Sequence, residues 1–324
     1  MKKSLQTNLK RLVGTLDIGK LDVEKFAKEC AEMKKLGYYG VYFNDIFFTV
    51  ENTDYICPEK DILFREDECL IVSRPQNELK RIKDVLQEYD LQVPSAHFLS
   101  ILPQPGSEPE SIFATHEKIL DMAQFMQMQR VTTHIGSIAV PTASSKATKA
   151  VLPEKLRNGE LDYAEYSEQL KISYNKDKII PDSLVVYRHL CEEAAKRNII
   201  VTIETACHEL HEVNTRPENI INFINQVGAD NLKICIDAGH CHLNGLNIID
   251  IIKKCGSYFV ETHFHDNFGQ KDRHNPIGIG TINWLEVIKA MNENSYQGEI
   301  TFEQSNYLTN YKNWNLFIEQ VEKN

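Results

Sequence analysis

Four absences narrow the function before any motif does. No run approaches the ~18 uncharged apolar residues that a membrane-spanning helix needs, and the N-terminal MKKSLQTNLKRLVGTLDIG has basic residues without the apolar core of a signal peptide. A cytoplasmic, unanchored protein with no membrane partner is expected. There is no surplus of positive charge: 46 acidic against 36 basic side chains leave a formal charge of −10, a field that repels phosphate polymers and disfavours nucleic acid as a partner. Eight cysteines are present, yet none form a C-x-x-C pair or a framework spacing. Free thiols therefore fit better than a disulfide scaffold or a thiolate zinc site. A glycine-rich phosphate cradle is also missing, so a phosphorylated substrate is neither required nor excluded.

What is present is alternation. Short β-branched runs at 11–17, 39–44, 92–97, 130–135, 199–204, 232–237, 258–264 and 299–303 are separated by stretches with apolar residues at helical spacing. Those stretches lie at 22–35, 76–88, 110–127, 183–196, 217–226, 248–254, 284–294 and 308–321. Eight βα units imply an α/β fold, a (β/α)8 TIM barrel over 1–324 as a single domain. A doubly wound sheet is the structural alternative, but its glycine-rich first turn is absent. Two connections, about 45–74 and 137–182, are too long for plain βα loops, and the second is expected to act as a lid or a subunit contact. A homo-oligomer is compatible with exposed barrel helices.

The chemistry is written at the strand ends. Six of the eight runs finish on a residue able to bind a metal: His97, His134, Glu204, Asp237, His263 and Glu303. In a parallel barrel those ends converge on one face, where the catalytic groups of such enzymes sit. Glu204, Asp237 and Glu303 each follow an apolar run, so their carboxylates would stand at a buried rim. An unpaired buried charge costs several kcal/mol, which a cation removes. Two Glu, one Asp and one imidazole suit one divalent ion: Mn, Mg, Co or Zn. His240 follows Asp237 by three residues, close enough to share the site. Cys207, Cys235 and Cys241 lie near these motifs and are read as packing residues, while His208, His211 and His242 have nothing to position them.

The segment HFHDNFGQKDRHNPIGIG is the most specific in the chain. His263 and His265 share a strand face by alternation, and Asp272 and His274 repeat that spacing. The Gly278 to Gly280 turn is expected to let the backbone approach whatever the site binds.

Together with IETACH, CIDAGHCHLNG and ITFEQ, this segment resembles the xylose-isomerase-like superfamily of TIM barrels, in the family's order and over most of the chain. The resemblance implies a sugar or sugar phosphate isomerase or epimerase with a small-molecule sugar substrate. It assigns the metal to Glu204, Asp237, His263 and Glu303. Glu204 and Glu303 become the acid/base pair that moves a proton beside a carbonyl through a metal-stabilised enediolate. His240, with His97 and His134, would contact substrate, and Asp272 and His274 could add a further metal.

The superfamily also contains endonuclease IV, an apurinic-site nuclease whose three-zinc ligand pattern has a counterpart at His97, His134, Glu204, Asp237, His240, His263, Asp272, His274 and Glu303. Departures stand against that alternative. FHDNFG replaces an NDSK-like run after His263, AGH replaces TCH after Asp237, and HFLSILP lacks a GPYL-like stretch. A keto-polyol dehydratase using the same enolate chemistry is a further alternative. A barrel that only binds has no need for both glutamates. Substrate choice is expected to lie with residues such as Asn44, Phe47, Phe98, Trp284 and Tyr307, any of which could equally be packing.

Overall fold

A computed structural model describes residues 7–16, 21–43, 75–98, 108–135, 176–206 and 216–323. All eight expected strands form: β1 Leu12–Thr15, β2 Gly40–Tyr42, β3 Ser95–His97, β4 Arg130–Thr133, β5 Ile200–Glu204, β6 Leu232–Asp237, β7 Phe259–His263 and β8 Ile300–Phe302. Every pairing is parallel, in the orders β2-β1-β8 and β3-β4-β5-β6-β7. Two seams close the ring. Val41 donates its N–H to Gln92 O across β2 and β3, and Phe264 donates to Thr301 O across β7 and β8. A closed parallel barrel has no free edge, so the strand ends are fixed relative to one another.

The helices of the described residues are α1 Val23–Leu36, α2 Gln76–Glu88, α3 Phe113–Phe125, α4 Lys176–Lys196, α5 Pro217–Val227, α6 Ala238–Leu243, α7 Ile248–Cys255, α8 Trp284–Glu293 and α9 Tyr307–Lys323. Their limits follow local chemistry. Asp22 caps α1 by accepting from Glu24 N and Lys25 N, Asn247 does the same for α7, and Gly37 and Gly228 end α1 and α5 with φ of 91° and 76°. Helix α4 begins seven residues before the expected start at 183, because Pro181 sits early enough in it to remove one ladder bond without ending it. The six-residue α6 was not expected: CIDAGHCHLNG is too short for a periodic signal. Among the described residues no helix is long and apolar enough to cross a membrane. Most of the two long connections, and with the second its expected role as lid or contact, lies outside the described residues.

The barrel interior is polar in its middle. Residues two apart on a strand face the same way, and on β4, β5 and β7 the inward positions are Arg130 and Thr132, Thr202 and Glu204, and Glu261 and His263. Thr132 and Thr202 donate to Glu261 Oε2 at 2.9 and 2.7 Å. Arg130, almost wholly buried, reaches Glu299 with Nη2 and lies 3.8 Å from Glu261 through Nε. Burial opposes the charge on Glu261, but the neighbouring His263 and Arg130 outweigh it and bring its pKa down to about 2. Replacing Arg130 by Met strands Glu261 as a buried anion, which should cost ~3–5 kcal/mol of stability near neutral pH. With its cation gone the Glu261 pKa rises, so the deficit should shrink as the pH falls and the carboxyl takes up a proton. Urea midpoints of parent and variant across pH 4 to 8 measure this (~4 units of pH around the carboxylate range); equal midpoints throughout would show that the pair is not stabilising in this sense.

Candidate functional site

The strand ends and the segments that follow β6 and β7 deliver three contiguous groups of ligand-type side chains. The inner group is Glu204, Asp237, His263 and Glu303, whose donor atoms all lie within 4.8 Å of one another. A second joins His97 and His134 to Glu204, and a third gathers His240, His265, Asp272 and His274. In the pairing of β6 with β7 the register shifts at Ile234/Cys235, and that irregularity sets Asp237 opposite His263 at the mouth.

Glu204 is the hub. Its Oε1 lies 3.1 Å from His263 Nδ1 and 3.5 Å from His240 Nδ1. Its Oε2 lies 2.9 Å from His97 Nε2 and 3.3 Å from His134 Nε2. His97 and His134 face each other Nε2 to Nε2 at 3.0 Å, an arrangement that serves either a metal or a substrate oxygen. His263 Nδ1 is also 3.6 Å from Glu303 Oε1. On the far side, Asp237 Oδ1 accepts the N–H of His240 at 2.6 Å and so caps α6, while Thr205 Oγ1 accepts from Asp237 N at 2.9 Å. One carboxylate thus orients the next loop as well as the mouth.

Burial is nearly complete: Glu204 is 1% exposed, Asp237 0%, His263 0% and Glu303 8%. Burial raises the carboxyl pKa of Glu303, and the charge of Glu204 raises it further. For Glu204 burial acts the same way, but His263 and His134 overcome it and hold the group well below the usual carboxylate range. Burial drives His134 down to about 3, against the pull of Glu204. Glu204 Oε1 and Oε2, Asp237 Oδ2, Asp272 Oδ1 and Glu303 Oε2 are buried without a hydrogen-bond partner in good geometry. Acceptor atoms left in that condition, converging within ligand distance, fit a cation.

After β7 the chain turns back through an isolated bridge, Asp266 N donating to Asn275 O at 2.8 Å and Asn275 N to Asp266 O at 2.9 Å. This return brings Asp272 and His274 over the mouth, with His274 held at φ 43°. The expected role of the Gly278 to Gly280 turn needs correction. It wraps a protein carboxylate rather than a ligand: Asp266 accepts from Asn267 N, Gly278 N, Ile282 N and Trp284 Nε1. A Cβ at Gly280 would stand 2.1 Å from Asp266 Oδ1, so the glycine is required by that close approach.

Several sequence expectations can now be placed. Trp284 and Phe98 are buried, the first against Asp266 and the second beside His116, so neither faces a substrate. The Tyr307 hydroxyl donates to Glu32 on α1. His242 pairs with Thr281 at 2.8 Å, away from the three groups. Cys235 and Cys241 are buried thiols, as packing residues should be. Asn44, Phe47, Cys207, His208 and His211 lie outside the described residues. Sequence reasoning left His265, Glu261 and Tyr42 out of the site. Tyr42, fully buried, has its ring 4.8 Å from that of His263, and Glu261 Oε1 lies 3.8 Å from His263 Nε2. The available signal was the two-residue alternation leading up to each strand end. A fourth group, Glu117, His189 and Glu193, sits on the helical exterior, where Glu193 is already engaged by Lys196 and Arg197.

The chain belongs to the xylose isomerase-like TIM barrel family, whose model matches residues 31–319. A D-psicose 3-epimerase of Enterocloster bolteae is 28% identical over 117 residues, covering 36% of this chain and 37% of that protein. A probable endonuclease 4 of Mycoplasma mobile is 26% identical over 106 residues, covering 29% and 38%. The chain spans half or less of the length of the curated relatives it matches. Among solved structures, a D-allulose 3-epimerase from Methylomonas sp. in complex with D-allulose superposes with a TM-score of 0.60, covering 98% of this chain and 99% of that one at 15% identity. That likeness is one of fold.

The buried acceptor role of Asp266 predicts the behaviour of its variants. Asp266→Ala leaves the Trp284 indole and three backbone amides without a partner and should cost ~3 kcal/mol or more, at ~1–3 kcal/mol for each unsatisfied buried group. Asp266→Asn, which keeps one acceptor oxygen, should lose less. Denaturant midpoints of the three proteins compare them, and an Ala variant as stable as the parent would remove Asp266 from the role given to it here.

Proposed function

We propose that this chain is a divalent-metal-dependent sugar epimerase or isomerase that moves a proton at the carbon beside a carbonyl. The observation that carries this reading is the inner group: two glutamates, an aspartate and a histidine, buried at the barrel mouth, with donor atoms within 4.8 Å of one another. Glu204, Asp237, His263 and Glu303 would hold the ion. When bound, it supplies a Lewis acid for the substrate oxygens, lowering the cost of charge that develops when the C–H bond breaks.

The protein's own groups account for the rest. Glu204 and Glu303 come from β5 and from the end of β8, so they approach the mouth from different sides of the ring. One carboxylate takes the proton and the other returns it, which inverts a centre when the return is to the opposite face. Carboxylates with unlike surroundings suit unlike roles: Glu204 is ringed by four histidines, whereas Glu303 is near His263 and the partly exposed His274. His97, His134 and His240 present ring nitrogens beside Glu204 and are positioned to orient hydroxyls of a small sugar. The near absence of exposed area at the inner group excludes water from the carbanion. Support for a ketose substrate comes from the curated D-psicose 3-epimerases among the relatives, and a reaction at C3 of a ketohexose is the first to assay.

A second reading, an apurinic-site nuclease with three zincs, is favoured by one observation: Glu204 belongs to two adjacent ligand groups, and a third abuts them. It carries less weight because the chain's charge is −10 and the run after His263 departs from the nuclease pattern.

Glu204→Gln and Glu303→Gln should each lower kcat on the true ketose by ~10²–10⁴-fold, the range for loss of a general acid or base. The assay is epimerisation of a ketose panel by the metal-loaded enzyme; near-normal rates in either variant would sink the two-carboxylate mechanism. Chelation should abolish turnover, and Mn, Co or Zn should restore it. Cleavage of abasic-site DNA with no ketose turned over would replace this reading by the second.

A further inference from the structure

We propose that the hydroxyl of Tyr42 is a substrate contact: it donates a hydrogen bond to the ketose oxygen that gains negative charge when the C–H bond breaks. The inference rests on the epimerase or isomerase reading of the mouth. It adds a residue that neither holds an ion nor carries the proton.

Position is the first support. Tyr42 ends β2 and stands in register with Thr15 on β1. In the closed ring β1 and β8 lie between β2 and β7. Even so, the Tyr42 and His263 rings meet edge to face, with 4.8 Å between centroids and 65° between planes. A contact past two intervening strands runs through the barrel interior, so the phenol reaches across it to an inner ligand. After burial, the charges that act on the phenol are those of His263, Glu303, Glu204 and Glu261. The first three belong to the inner group.

The second support is a comparison among tyrosines. Tyr38, Tyr42, Tyr187 and Tyr296 are the buried tyrosines of the described residues. Tyr38 donates to Tyr307 O, Tyr187 to His134 O and Tyr296 to Glu299 O, each at 2.8 Å. Tyr42 is the exception: it is 0% exposed and its hydroxyl has no hydrogen-bond partner. An orphaned buried hydroxyl destabilises a fold, and phenylalanine would fill the same space without that cost. Folding alone therefore favours Phe at this position, and the hydroxyl answers to something other than folding.

The proposed reaction supplies that something. The proton passes from carbon to a carboxylate, and the electron pair of the broken C–H bond spreads onto the adjoining oxygen. Ionised carboxylates cannot stabilise that oxygen. A neutral O–H donor can, and in a site with almost no exposed area it acts more strongly on the transition state than on the uncharged ketose. The phenol keeps its own proton throughout.

The test is Tyr42→Phe in the full chain, read in three ways. Stripped of metal by a chelator, the variant should unfold at a denaturant midpoint equal to or above the parent's, because an orphaned donor has been removed. Metal retained per chain after loading and desalting should be unchanged, because no ligand is touched. On the ketose that the parent turns over, kcat should fall ~10²–10³-fold, the range for one lost oxyanion donor, with KM little changed. A lower midpoint or lost metal accompanying the lower rate would overturn the proposal by making the hydroxyl part of the scaffold. A kcat near the parent's would also overturn it and leave the two-carboxylate reading standing. A parent that turns over no ketose would bring down both.

Discussion

The structure depends on keeping negative charge buried inside the barrel. Glu204, Asp237, Glu261, Glu299 and Glu303 are all buried in or at the ends of the strand ring, where an uncompensated carboxylate costs several kcal/mol. At the lower end the answer is covalently part of the chain: Arg130 lies against Glu261 and Glu299. At the upper end, among the described residues, no arginine or lysine is found against Glu204, Asp237 or Glu303, and histidines stand around them instead. Imidazole can share such a charge by protonation or by joining the carboxylates around a metal ion. That difference between the two ends separates a part of the barrel built for stability from a part built for chemistry.

The loop after β7 follows from the same constraint. Asp266 is a further buried carboxylate, but it is satisfied by four N–H donors, one of them the Trp284 indole at the start of α8. Because Gly280 leaves room, the return of the chain packs on that carboxylate and carries Asp272 and His274 back to the mouth. A glycine turn that looks like a ligand cradle in one dimension is in three dimensions the support of a rigid loop. The placing of Asp272 and His274 then rests on a satisfied hydrogen-bond hub one step removed from them.

The two ligand-type groups meet at one residue. Glu204, Asp237, His263 and Glu303 stand at the ends of β5 to β8, whereas His240, His265, Asp272 and His274 lie where α6 and the returning loop meet. Asp237 joins them, its Oδ1 lying 3.1 Å from His265 Nε2 and accepting from His240 N.

The eight strands, the helices that alternate with them and the convergence of the strand-end residues were legible in the sequence, because periodicity reports which face is buried and a parallel barrel sends every strand end to one side. His97, His134, Glu204, Asp237, His263 and Glu303 could therefore be named as strand ends from order alone, and the family resemblance singled out four of them. Glu261, Arg130, Tyr42 and His265 could not. The first two lie two and four residues before a strand end, and only the closed ring shows that alternate positions on separate strands face one another. Alternation puts His265 on the face of His263, but its burial beside Asp237 shows only when the missing side chain of Gly239, 26 positions earlier, is seen to make space for its ring. Sequence fixes which residues alternate and in what order they arrive; tertiary structure decides which of them touch. Contact across the barrel is set by strand register and by the volume a neighbour leaves empty, and neither quantity is local to the chain.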